Sequence, residues 1–245
     1  MFHRIAPKLL AELVGTFAFV LIGAGAAAII GDGVGLPGIT AIAFAHGLAI
    51  TAFAFAYGPV SGGHMNPAVT IGVLAVGSMR VGEAIAYIVS QLIGGVVAAF
   101  LLATLLDGPA TGLGTPALAH NLALGVTSVT ITPFGGFVIE AVLAFFLVTM
   151  VLNTAVAGRA GNFAPLAIGM TVTFNIIMGG ALTGAAFNPA LVLGPMIATG
   201  NFSNAWLYMA APITGALIAA LLHIGFTRLA REPAATPLAS PRPAE

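Results

Sequence analysis

Long apolar stretches separated by short clusters of glycine, proline and aspartate run the length of the chain. Six of them, at about residues 9–30, 39–57, 83–106, 134–156, 165–182 and 205–229, are long enough to cross a bilayer, which takes about 20 residues at a rise of about 1.5 Å each. The breaks fall at Gly31-Asp32-Gly33, Gly58-Pro59, Asp107-Gly108-Pro109 and Gly158-Arg159-Ala160-Gly161. Backbone polar groups in hydrocarbon must pair within the protein, and the alternating segments of a barrel are absent, so the spans are predicted to be helices. The expected fold class is an all-α membrane protein. One transmembrane domain is predicted over residues 1–230, with the Pro- and Ala-rich tail 231–245 disordered and cytoplasmic.

Two short segments stand outside the six spans. Ser61-Gly62-Gly63-His64-Met65-Asn66-Pro67-Ala68-Val69 and Thr183-Gly184-Ala185-Ala186-Phe187-Asn188-Pro189-Ala190-Leu191 share one motif, 188 − 66 = 122 positions apart. Tyr87 and Tyr208, Gly94 and Gly215, Ala98 and Ala219, and Ala99 and Ala220 extend the match at a spacing of 121. Glu12 and Glu140 hold similar places in the first helix of each half. The halves, about 9–106 and 134–229, each hold three spans, an odd number, so the second enters the membrane with opposite polarity and the repeat is inverted. The apolar residues after each Asn-Pro-Ala, 68–76 and 190–199, reach about 15 Å, half the hydrocarbon thickness. They are predicted to be re-entrant half-helices whose N-termini meet near the midplane.

Charge fixes the orientation. Only seven Lys+Arg and seven Asp+Glu occur in 245 residues, 6% charged, with a mean hydropathy of +1.09. Such a chain cannot wrap a water-facing surface, and its natural solvent is lipid. With the N-terminus in the cytoplasm, Arg4, Lys8, Arg80, Arg159, Arg228, Arg231 and Arg242 all fall on the cytoplasmic side and the external loops carry no Lys or Arg. Both termini are therefore expected in the cytoplasm, in the cell (plasma or inner) membrane. The first span, which contains Glu12, reads as a retained helix rather than a cleaved signal. The lack of a basic run excludes nucleic acid as a partner, and the lack of cysteine excludes disulfides and thiol chemistry. No His and carboxylate cluster has metal-ligand spacing, no phosphate loop or catalytic triad is present, and neither enzyme activity, metal nor cofactor is expected.

The Asn-Pro pairs carry the chemistry. Proline suits the first helical turn, and asparagine is a strong N-cap whose oxygen accepts a backbone N–H, which leaves its amide NH₂ free. Two such amides and two helix N-termini facing each other would give the midplane donors and a positive field. The approaches Gly62, Gly63, His64, Met65 and Gly184, Ala185, Ala186, Phe187 would expose backbone carbonyls as a ladder of acceptors, which lipid permits only along a cavity. The pattern implies a narrow polar pore.

Twin Asn-Pro-Ala boxes (Asn66, Pro67, Ala68 and Asn188, Pro189, Ala190), each followed by glycine at Gly72 or Gly194, on inverted three-helix halves resemble the aquaporin or major intrinsic protein family over about residues 9–229. The resemblance implies an aquaporin-like bundle of six transmembrane helices plus two re-entrant half-helices. It implies a homotetramer with one pore per protomer, passive water conduction with proton exclusion, loops braced by Glu12 and Glu140, and a first loop anchored by His64. Family members narrow the outer mouth with four residues, usually with an arginine directly after the second box. Here that position is Leu191, and the other three are His46, Ile176 and Ala185. The set is similar to that of some plant tonoplast intrinsic proteins, which pass water and small neutral solutes. Leucine supplies neither charge nor donors, so conduction is expected to extend to ammonia, urea or hydrogen peroxide, with glycerol disfavoured because Leu191-Val192 replaces the Arg-Asp of glycerol facilitators.

Other readings stay open on sequence alone. A secondary transporter of a small polar solute can also be built from inverted repeats and broken helices, and a non-conducting scaffold would share the composition. Glu12 and Glu140 read as braces rather than a proton relay, and His46 as pore lining rather than a pH sensor. His120, His223 and His3 receive no role. In a chain without cysteine, mercurial reagents are expected to leave water permeability in proteoliposomes unchanged. Strong inhibition reversed by a thiol would contradict this.

Overall fold

A computed structural model describes residues 2–31 and 35–229, so the tail predicted at 231–245 lies outside the described residues. Eight α-helices are described: α1 (Phe2–Ile30), α2 (Gly35–Ser61), α3 (Pro67–Ala75), α4 (Val81–Leu105), α5 (Pro133–Val151), α6 (Ala164–Thr183), α7 (Pro189–Thr199) and α8 (Ala205–Leu229). Six are long and apolar enough to cross a membrane. The other two, α3 with 9 residues and α7 with 11, are the predicted half-helices; each spans about 15 Å.

The helix boundaries depart from expectation in two places. α2 does not stop at Gly58-Pro59 but runs on to Ser61. Proline there costs one pair four residues back, and the extra turn delivers Ser61 to Glu12, whose Oε1 accepts its hydroxyl at 2.6 Å. The span predicted at 134–156 is α-helical only to Val151 and then widens into a π-helical turn, Leu152–Val156. Ala157 N–H closes that turn on the Leu152 carbonyl at 3.0 Å.

The connection 107–132, given no structure in advance, is folded. It holds a 3₁₀ turn, Gly112–Gly114, and an antiparallel pair, β1 (Leu122–Leu124) with β2 (Thr127–Val129), in the register Leu122↔Val129. Leu113 is fully buried, Ala119 N–H bonds the Leu182 carbonyl at 2.9 Å, and Pro116 covers Gly184. The loop thus leans on the end of α6.

Repeat symmetry is visible in the packing. α2 and α6 cross where Gly47 and Gly169 face each other; a Cβ on either would meet the other's carbonyl oxygen and the hydroxyl of Thr173 or Thr51. Those threonines each bond the carbonyl of their own helix's glycine, Thr51 to Gly47 at 2.8 Å and Thr173 to Gly169 at 3.0 Å. Glycine also lets backbone touch backbone elsewhere. Gly94 brings α4 onto the Leu13 carbonyl of α1, and Gly215 brings α8 onto the Ala141 carbonyl of α5. Gly95 of α4 and Gly194 of α7 meet directly, while Gly72 of α3 packs on Val148 of α5 and faces the Ala216 carbonyl of α8. Each half-helix is therefore gripped by the third span of the opposite repeat. With no hydrophobic drive between helices in lipid, such close contact holds the bundle together.

Gly94→Ala and Gly215→Ala are expected to destabilise by about 1–3 kcal/mol each, since the methyl meets backbone. Gly82→Ala and Gly225→Ala, where a Cβ meets nothing, should be neutral or stabilising by up to about 1 kcal/mol. Thermal unfolding in detergent ranks the four; equal midpoints would refute the packing argument.

Candidate functional site: where the half-helices meet

Each half-helix starts at its Asn-Pro pair. Asn66 and Asn188 sit in extended backbone and accept, through Oδ1, the N–H of Ala68 at 2.8 Å and of Ala190 at 3.0 Å, with proline filling the first helical position. The amide nitrogens are not free, contrary to expectation. Asn66 Nδ2 donates to the Phe187 carbonyl and Asn188 Nδ2 to the Met65 carbonyl, both at 3.0 Å. The two N-termini are thereby tied to each other across the repeat axis. Each NH₂ carries a second hydrogen, which no described residue takes.

The loops before them follow one backbone recipe. Gly62 and Gly184, Gly63 and Ala185, and Met65 and Phe187 all have positive φ, between 32° and 94°. Ala185, Met65 and Phe187 pay a steric cost for this, of order 1 kcal/mol each. Of the eight carbonyls expected to stand open, those of Met65 and Phe187 are taken by the asparagines. Among the described residues no hydrogen bond reaches the carbonyls of Gly62, Gly63, His64, Gly184, Ala185 or Ala186.

Two buried carboxyl groups hold the loops from behind. Glu12 accepts from Ser61 Oγ (2.6 Å) and His64 N (2.9 Å) on Oε1, and from Met65 N and Gln91 Nε2 (both 2.7 Å) on Oε2. Glu140 accepts from Thr183 Oγ1 (2.6 Å) and Ala186 N (3.1 Å) on Oε1, and from Phe187 N (2.6 Å) on Oε2. The tyrosines of the repeat close the same structure: Tyr87 Oη donates to the Ser61 carbonyl at 2.8 Å and Tyr208 Oη to the Thr183 carbonyl at 2.7 Å. His64 meets Thr70 Oγ1 through Nδ1 at 3.1 Å, and Thr70 also receives Gln91 Nε2 at 2.9 Å.

A cavity reaches both asparagines from the first-loop side. Gly62, Gly63, His64, Asn66 and Asn188 line it together with apolar side chains, including Phe19, Ile50, Leu147 and Val172. The four residues expected at the outer mouth are not among its lining. His46 (α2), Ile176 (α6), Ala185 (second loop) and Leu191 (first turn of α7) are all buried. Ile176, Ala185 and Leu191 belong to the hydrophobic core cluster, and His46 packs on Phe19 of that cluster and on Gly23 of α1.

The sequence profile described as Major intrinsic protein matches residues 3–223. The chain belongs to the major intrinsic protein family. It is 38% identical to Aquaporin TIP1-2 of Zea mays over 226 residues, covering 89% of this chain and 85% of that one. It is 35% identical to Nodulin-26 of Glycine max over 217 residues, 88% of this chain and 76% of that one. Among solved structures, the aquaglyceroporin from Plasmodium falciparum superposes with a TM-score of 0.74 at 23% identity, over 89% of this chain and 95% of that one; this likeness concerns the fold. This major intrinsic protein is an integral, multi-pass membrane channel of the aquaporin class and not an enzyme.

Gln91 and Thr70 escaped the sequence reading. The available signal was a lone amide side chain in the apolar span 83–106. Lys8 Nζ also bonds Glu83 Oε1 at 2.7 Å, joining α1 to α4. Glu140→Gln turns an NH₂ toward donors that now find oxygen, so it is expected to lower stability by about 2–3 kcal/mol. A thermal midpoint equal to wild type would show that the second loop does not depend on this carboxyl.

Proposed function

We propose that the chain conducts water and small neutral solutes, namely ammonia, urea and hydrogen peroxide, passively, and excludes protons at the twin Asn-Pro-Ala boxes. The observation that carries this reading is the pair of half-helix N-termini at the head of the cavity, each with one uncommitted amide N–H. A water arriving there must offer its oxygen to Asn66 and Asn188, so its own hydrogens point away and a proton wire through the midplane is interrupted. The helix dipoles add roughly half a positive charge each and repel a hydronium. The open carbonyls of Gly62, Gly63, His64, Gly184, Ala185 and Ala186 supply acceptors above and below, while the apolar lining leaves a solute no other partners.

His46, Ile176, Ala185 and Leu191 form the outer constriction in this reading. Leu191 supports the wider solute range, because the constriction carries no guanidinium to fill it or to charge it. The clustering of Lys8, Arg80, Arg159 and Arg228 on one side of the spans supports cytoplasmic termini, the membrane in this reading being the cell membrane, and the family resemblance supports a homotetramer with one passage per protomer.

Stopped-flow light scattering on proteoliposomes with water, urea, ammonia and hydrogen peroxide tests the assignment, wild type beside Leu191→Arg. The wild type is expected to pass all four. The arginine variant should keep water while urea falls about tenfold. Wild-type permeability equal to empty liposomes for everything but water would sink the wider solute range, and equality for water as well would sink the channel reading.

A further inference from the structure

Gly23 on α1 belongs to no motif, yet it is buried directly against His46. A Cβ there would overlap the imidazole at Cδ2 and Nε2 and stand 2.8 Å from Cγ, closer than carbon atoms approach without displacement. The ring therefore lies flush on the α1 backbone because position 23 has no side chain. Two contacts fix it in that place. Nδ1 is 2.9 Å from the Ile42 carbonyl oxygen, and the Phe19 ring meets the imidazole edge-on at 5.5 Å between centroids.

A carbonyl oxygen only accepts, so Nδ1 carries the hydrogen, and this assigns Nε2 of the neutral ring as a bare acceptor. No hydrogen bond among the described residues takes Nε2. It is also not among the sealed-off polar atoms without a partner, which are Gln91 Oε1, Thr149 Oγ1 and Asn175 Oδ1. Nε2 thus looks into accessible space. Ile176, Ala185 and Leu191 have no polar side-chain atom, so Nε2 is the sole side-chain hydrogen-bonding group of the four-residue constriction.

We propose that Gly23 sets the aperture and the hydrogen-bonding sense of the outer constriction, by giving His46 room against α1 so that the ring is held back and Nε2 is offered as an acceptor. This rests on the channel reading above and deepens it: the solutes selected are neutral molecules rich in N–H or O–H donors. They donate to His46 at the mouth and accept from Asn66 and Asn188 at the midplane. A methyl at position 23 would expel the ring from its seat on α1, because Cδ2 and Nε2 are the atoms it meets first.

The test is the double-mutant cycle of Gly23→Ala and His46→Ala in proteoliposomes, read with water and urea. Gly23→Ala is expected to cut urea permeability about tenfold and water less, and His46→Ala in the same chain should restore both to the level of His46→Ala alone. Unchanged permeability in Gly23→Ala, or a loss that removal of the ring does not reverse, overturns the proposal. Should Gly23→Ala fail to fold while the double variant folds, the ring is what the methyl meets, in support of the proposal; failure of both to fold counts against it. A wild type that passes water but not urea refutes the donor-solute half and leaves the aperture to be read in water alone. An impermeable wild type fells the channel reading and this inference with it.

Discussion

Backbone that turns halfway across a bilayer has no water to satisfy it, and this constraint organises the whole molecule. Residues 62–66 and 184–188 are non-helical at that depth, and each buried polar group left unpaired there costs about 1–3 kcal/mol, more where lipid is the surroundings. The answer is two carboxyl groups planted on the first helix of each repeat. Glu12 and Glu140 each collect two consecutive backbone N–H groups and the hydroxyl of the last helical residue before the loop. That pairing outweighs the left-handed strain at Met65, Ala185 and Phe187. It also commits loop N–H groups to the carboxyl groups, while the carbonyls of Gly62, Gly63, His64, Gly184, Ala185 and Ala186 have no hydrogen-bond partner among the described residues.

The two halves solve the problem unequally. Glu12 has a fourth donor in Gln91, which is held in turn by Thr70 and through it by His64. At the repeat-related positions the second half has Pro212, Val192 and Ala186, and Glu140 manages with three donors. The first loop is therefore the more polar and the more heavily cross-linked, and it is the one that walls the cavity with Gly62, Gly63 and His64. The second loop is covered instead from the opposite side by Pro116 of the 107–132 connection. Symmetry in the backbone thus coexists with a polarity difference between the two ends.

Much of this was legible in the sequence because lipid removes ambiguity. Where each backbone bond must close within a segment, span length and a repeated Asn-Pro-Ala determine helix count, half-helices and inversion. Glu12 and Glu140 stood out too, as carboxyls in apolar runs at matching places. What stayed hidden depends on which atom a side chain reaches. Nothing in the spelling of Asn66 says that its amide spans the axis to Phe187, because the residues are 121 positions apart and the bond exists only once both loops are folded. Gly58-Pro59 reads as a stop and is overridden by the need to bring Ser61 to Glu12. The π turn after Val151 and the folded connection 107–132 leave no periodic trace, being short and irregular.

In the proposed channel, leucine rather than arginine at position 191 invites the conclusion that ions should follow neutral solutes through, and magnitudes argue otherwise. Two helix N-termini of roughly half a charge each amount to about one unit charge, and at about 4 Å in an effective dielectric near 20 this opposes a cation by about 4 kcal/mol. That term survives intact in Asn66 and Asn188. Dehydration is larger still: moving a small ion out of water costs several kcal/mol even after the protein relaxes, and a wall of Phe19, Ile50, Leu147 and Val172 returns none of it. In that reading a neutral donor-rich solute would give up only a few hydrogen bonds and regain them on the carbonyl side. In the proposed channel an arginine at the mouth would sharpen size and charge discrimination, but the same asparagines that tie the two halves together would already oppose cations at the midplane.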